Sequence, residues 1–140
     1  MIRAVNASTR DTFLASLGRC RATPGFLDAF YQRFVASSDE VRAKFAKTDM
    51  MRQVQMLEDT LFVVANAVQG EEGSPARSDL PRIAERHSRR DLDIGPELYD
   101  LFLECLVVTV RTHDPKFTPE VEAAWREVMG FSIDYMRKRY

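Results

Sequence analysis

The chain has 140 residues, the usual size of one domain, and such a chain buries roughly 68–70% of the surface it exposes when unfolded, so neither a disulfide nor a metal is required for folding. Apolar residues make up 45% and charged residues 29%, a globular mixture that excludes a disordered chain. The formal net charge of −1 excludes a global field that would draw the chain to nucleic acid or an anionic membrane.

Taken in order, the chain reads as helices separated by short breaks, with no strand pattern, repeat or low-complexity tract. The start, Met1-Ile2-Arg3-Ala4-Val5-Asn6, lacks the apolar core of a signal peptide. Asn6 to Arg21 suits a first helix, with Ser8 and Asp11 at the spacing of a capping-box variant. Thr23-Pro24 is expected to restart the helix, Thr as cap and Pro at the first helical position. Phe26, Phe30 and Phe34 then recur at four-residue steps and give one aromatic face.

A short polar turn, Ser37-Ser38-Asp39-Glu40, leads to Phe45, and Thr48-Asp49 can cap the next helix. There Val54, Leu57, Leu61, Val64, Ala65 and Val68 form a stripe at helical spacing. Gln69 to Ser78 is the most loop-like segment and reads as a connection inside one domain. Asp79-Leu80-Pro81 begins a short helix on which Leu80, Ile83 and His87 share a face. Gly95-Pro96 breaks and restarts the chain, and Leu98, Leu101, Phe102, Cys105, Leu106 and Thr109 stripe another helix. His113-Asp114-Pro115 stops it. Thr118-Pro119 caps the last helix, with Val121, Ala124, Trp125, Val128, Ser132 and Tyr135 on its inner face. The longest apolar stretch, Leu101 to Val110, carries Glu104 and falls far short of the ~20 residues of a membrane span. An all-α domain over residues 1–140, cytoplasmic and without a membrane partner, is expected.

Few residues offer chemistry. Cys20 and Cys105 read as buried thiols that pack as small hydrophobes. The two histidines and two cysteines show no close ligand spacing for structural zinc. Phosphate-cradling glycine loops and a Gly-x-Ser-x-Gly elbow are both missing. Arg82, Arg86, Arg89 and Arg90 fit a solvated face, a phosphate patch or partners for carboxylates. Glu85, Asp91 and Asp93 balance them, which speaks against nucleic acid. His113, beside Asp114 at a helix end, suits a cap at the negative end of the helix dipole. His87 on the apolar side of a short helix is, by itself, most simply a core residue.

The order of features changes that reading. Phe30-Tyr31-x-x-Phe34, Val41-Arg42-x-x-Phe45, Thr48-Asp49-Met50-x-x-Gln53-x-x-x-Leu57, then His87, Tyr99 and Trp125, resemble the bacterial globins. The likeness is greatest to single-domain bacterial haemoglobins and the globin part of flavohaemoglobins, and runs from about Pro24 to Tyr135. It implies a globin fold of six to eight helices around a pocket for haem, of the b type. It makes His87 the axial ligand to iron, with the Ile83 carbonyl as acceptor for its other ring nitrogen. Phe45 would pack against the haem plane, Tyr31, Gln53 and Leu57 would form the distal pocket, and Tyr99 and Phe102 would complete the wall. No catalytic residue is implied.

The expected ligands are dioxygen, carbon monoxide or nitric oxide. A phenol or amide donor at the gas site stabilises a ligand atom that gains negative charge. Met50, Val54 and Met56 are expected to pack rather than ligate. Tyr31 alternatively fits a core tyrosine and Gln53 a solvated helix position.

One departure stands out. Tyr99 takes the place of the tyrosine that supports the proximal histidine in flavohaemoglobins, but the matching glutamate is missing, with Tyr140 near its place. Reversible dioxygen binding therefore leads. Nitric oxide dioxygenation with an external reductase and a haem-based gas sensor stand as alternatives, in a monomer or homodimer.

Overall fold

Seven helices account for 80% of the described residues of the computed structural model, which are residues 5–67, 80–88 and 94–139. They are α1 (Ala7–Arg21), α2 (Phe26–Ala36), α3 (Asp39–Lys44), α4 (Met50–Ala67), α5 (Leu80–His87), α6 (Pro96–His113) and α7 (Pro119–Arg137). No strand occurs among the described residues. The loop-like stretch from Gln69 to Ser78, together with Val68, Arg89, Arg90 and Tyr140, lies outside them.

The helix ends follow local side-chain chemistry, with instructive differences. Asn6 caps α1, its side chain accepting from the Ser8 amide at 2.7 Å, so Ser8 lies inside the helix and the expected Ser8–Asp11 capping box does not form. Asn is as good a cap as Ser and stands earlier in the chain, so it wins the orphan amide. Thr23 does not start α2 either. Its hydroxyl donates to the carbonyls of Arg19 at 3.2 Å and His113 at 3.1 Å, and Gly25 takes the cap position at φ +79°. That left-handed backbone suits glycine and delays the helix to Phe26.

The polar run after α2 is itself the start of a helix. Ser38 caps α3 by accepting from the Val41 amide, with Asp39 and Glu40 at the positive end of the dipole. Asp49 accepts from the Arg52 amide at 3.3 Å and starts α4, and Thr118 accepts from the Val121 amide at 3.2 Å to start α7 with Pro119 behind it. Both of these starts match the sequence reading.

The stripes meet in one core. Phe26, Phe30 and Phe34 are buried, as are Leu57, Leu61, Val64 and Ala65 of α4. Helix α7 packs against α1, α4, α5 and α6, and α2 lies on α6. Trp125 sits fully buried at the junction, its ring centroid 4.6 Å from that of Phe13 and 6.4 Å from that of Phe26. Tyr135 departs from the expected inner face: it is only half-buried, and the Arg139 guanidinium lies over its ring at 3.5 Å. Cys20 and Cys105 are buried free thiols, as expected.

A polar cluster ties the first helix to the turn between α6 and α7. The Asp114 carboxylate is fully buried and accepts from Ser16 Oγ at 2.6 Å, from Arg19 at 2.6 and 2.9 Å, and from the Lys116 amide at 2.8 Å. Trp125 Nε1 donates to Ser16 Oγ at 2.9 Å. Burial pushes this carboxyl up, but the hydrogen bonds from Arg19, Ser16 and Lys116 outweigh it and hold it below the ordinary value of 3.8. Among the described residues, no helix is long and apolar enough to cross a membrane.

Candidate functional site

Helices α2 to α7 enclose a predominantly apolar cavity of about 580 Å³, a volume typical of a small-molecule or cofactor pocket. Tyr31, Phe45, Gln53, Leu57, Ile83, His87, Tyr99 and Phe102, the residues picked out in the sequence, all line it. They come from α2, the end of α3, α4, α5 and α6, so the fold gathers side chains spread over some half of the chain.

His87 closes α5. Its Nδ1 lies 2.8 Å from the Ile83 carbonyl, one turn earlier. A carbonyl only accepts, so Nδ1 carries a proton, and in the neutral form of the ring Nε2 is then the nitrogen that can bind a metal. The Ile94 amide donates to the His87 carbonyl at 2.9 Å, which pins the backbone that carries the ring. His113 is elsewhere: its Nδ1 donates to the Thr109 carbonyl at 2.9 Å and its ring packs 5.8 Å from that of Phe26, away from the cavity.

Tyr31 and Gln53 form a preset pair. The Gln53 amide donates to the Tyr31 phenol oxygen at 3.2 Å, leaving the phenol hydrogen available as a donor. Burial pushes the Tyr31 hydroxyl up to about 12, against a smaller opposing effect of Gln53, so it stays protonated near neutral pH. Phe45 and Tyr31 meet edge to face at 5.6 Å, and Phe30, Phe34 and Phe102 continue the same aromatic cluster. This packing restrains the rings around the cavity.

Several lining residues escaped the sequence reading, among them Lys44, which is exposed at the cavity edge. Arg82 and Arg86, read from the sequence as a solvated face, a phosphate patch or partners for carboxylates, line the same edge. Met56 is 49% exposed and borders the cavity rather than packing in the core. From α7 come Met129, Ser132, Ile133 and Met136. Met129, Ile133 and Met136 repeat at helical spacing one residue on from the stripe of Val128, Ser132 and Tyr135, and that second stripe was the available signal.

The donor set fits one kind of metal carrier. Among the described residues, no group of three or more His, Cys, Asp or Glu can hold a bare ion. A lone imidazole in a large apolar cavity suits an iron whose remaining ligands arrive with a flat organic macrocycle, and an edge with Lys44, Arg82 and Arg86 against one carboxylate, Asp59, suits carboxylates on that macrocycle.

Residues 28–136 match the family model described as Globin, and the chain belongs to the globin family. The family's general function is haem and oxygen binding. The chain has the globin fold: it is similar to the Pseudomonas aeruginosa PAO1 protein PA3967, described as structurally highly homologous to a human hemoglobin. The two are 41% identical, with 94% of this chain and 98% of the other covered and a TM-score of 0.89. No curated protein matches the chain.

Proposed function

We propose that the chain binds haem b through His87 and reversibly binds dioxygen on the Tyr31–Gln53 side of the cavity. The observation that carries this reading is one apolar cavity holding both a histidine with its Nδ1 proton committed to Ile83 and a phenol–amide pair with a hydrogen to give. Residues 1–140 are taken as one cytoplasmic globin domain.

Haem, when bound, supplies an iron that takes up a diatomic gas. His87 would hold the iron through its ring nitrogen, and its bond to Ile83 orients the ring and raises its basicity. Phe45 and Phe102, which line the cavity, would wall the macrocycle, and Leu57 would add an apolar surface beside Gln53. Tyr31 donates its hydroxyl hydrogen toward the gas site while Gln53 holds the phenol oxygen. This bond favours a ligand that draws negative charge, dioxygen over carbon monoxide. Lys44, Arg82 and Arg86 lie at the cavity edge, where they suit the macrocycle's carboxylates.

The flavohaemoglobin-like alternative, nitric oxide dioxygenation with an external reductase, calls for a carboxylate on the last helix beside the histidine. In the sequence that place falls near Tyr140, which is not an acid, and this favours gas binding.

Titration with haemin, dithionite reduction and exposure to carbon monoxide and then air test the reading, with His87→Ala alongside. One haem per chain, a stable oxygenated spectrum and altered axial ligation in His87→Ala are expected. Spectra of His87→Ala indistinguishable from the parent would remove His87 as ligand.

A further inference from the structure

Ser132 stands apart from every other buried hydroxyl of the described helices. Its residue is 0% exposed, it lines the cavity, and its Oγ has no hydrogen-bond partner in the protein. A serine or threonine inside a helix ordinarily bonds back to the carbonyl four residues earlier. Thr12, Thr60, Thr109 and Thr112 all do so, at 3.0, 2.8, 2.7 and 3.0 Å. The other fully buried serine of a long helix, Ser16, bonds to Asp114 at 2.6 Å. Ser132 makes neither kind of bond.

The surroundings sharpen the point. Among the described residues, the other buried side-chain polar atom without a partner is Arg137 Nε, and that guanidinium is otherwise engaged with Asp100. The other α7 residues on the cavity, Met129, Ile133 and Met136, offer the hydroxyl nothing. Helix α7 packs against α5, the helix that carries His87. A hydroxyl with no partner in an apolar wall disfavours the empty cavity and favours any guest that brings an acceptor or donor to it.

We infer that Ser132 is a second polar contact for the group that fills the cavity, forming a hydrogen bond from the α7 wall once that group is bound. The inference rests on the haem reading above. The acceptor is an oxygen, either a carboxylate of the cofactor or a water enclosed with it.

The role has a signature that simple packing lacks, because the hydroxyl acts with opposite sign in the two states. Alanine keeps the size of the site and strengthens the helix, so Ser132→Ala folds and raises the thermal midpoint of the haem-free chain. The same variant should lose haem to an excess of a scavenging apoglobin roughly fivefold faster than the parent, the effect of one neutral hydrogen bond. Ser132→Thr, which keeps a hydroxyl, should retain haem longer than Ser132→Ala. Etiohaem, whose alkyl side chains carry no carboxylate, separates the two acceptors: a Ser132 dependence that survives with it assigns the enclosed water, and one that vanishes assigns the carboxylate. Haem loss from Ser132→Ala no faster than from the parent, or equally fast in the alanine and threonine variants, would overturn the inference. Failure of the parent chain to take up haemin would instead sink the haem reading itself.

Discussion

At the scale of the residue, Tyr31 carries two separable consequences. In the proposed function its hydroxyl is the donor to the gas ligand, and Gln53, by donating to the phenol oxygen, leaves its hydrogen free for that role. Tyr31→Phe should speed dioxygen release about tenfold and alter carbon monoxide release much less, as read by stopped-flow displacement. The second consequence concerns alkali. Burial raises this phenol from 10.0 to about 12 in the folded chain, so between those values the unfolded chain gives up a proton that the folded one keeps. Stability is therefore undiminished below pH 10 and falls as pH rises toward 12. Unfolding titrations in urea at rising pH should show a shallower alkaline loss in Tyr31→Phe than in the parent chain.

The pair itself was legible in the sequence only through the resemblance. Periodicity puts Tyr31 beside Phe30 and Phe34 and leaves Gln53 on a mixed helix face, and nothing local says that the two touch. His87 illustrates the same limit. Its place on the side of Ile83 follows from helical spacing, and so does the reach of Nδ1 to the carbonyl one turn back. That this side opens on a cavity, rather than on solid core, is not a local property.

At the scale of the element, short-range chemistry explains the helix starts, including those the sequence reading misplaced. Asn6, Ser38, Asp49 and Thr118 each accept from an amide two or three residues on, as small polar side chains do in competition with the backbone. The starts of α1 and α2 were misplaced where two capable residues stood close together, and at α2 the tertiary structure chose between them. Thr23 is a sound cap on local grounds, but its hydroxyl is drawn to the carbonyl of His113, 90 residues away, and Gly25 takes over. Gly25→Ala should then cost about 1 kcal/mol in chemical denaturation, since a Cβ at φ +79° is strained although space for it is open. No such loss in the alanine variant would mean that α2 can start from ordinary backbone.

At the scale of the whole molecule, the Asp114 cluster connects the two ends of the chain. Ser16 and Asp114 are 98 residues apart and Trp125 and Ser16 are 109 apart, yet they share one hydrogen-bonded chain beneath the central indole. Removing the charge strands Arg19 and the donors around it, so Asp114→Asn should destabilise the chain by about 3 kcal/mol in urea unfolding. The pH dependence has a definite sign. Because the folded carboxyl titrates below 3.8, its contribution is complete above that value and is lost as pH falls through the lower folded one. Acid titrations should accordingly find Asp114→Asn less sensitive to pH below 3.8 than the parent, and an unchanged acid limb would assign the acid loss to other carboxyls.

What the sequence by itself determined is what depends on neighbours along the chain. The 3.6-residue period of apolar side chains marked the helices, the aromatic stripe of α2 and the apolar side of α5, and Asp49 and Thr118 marked the starts of α4 and α7. Only the tertiary structure decided which faces meet. It brought eight spaced residues onto one cavity, turned a second α7 stripe toward it, left Ser132 there without a partner, and buried a carboxylate that reads locally as a mere helix stop. The physical reason is that periodicity and capping are settled within a turn or two of helix. Burial, cavity shape and the satisfaction of polar groups depend instead on contacts between segments far apart in the chain, which no local pattern records.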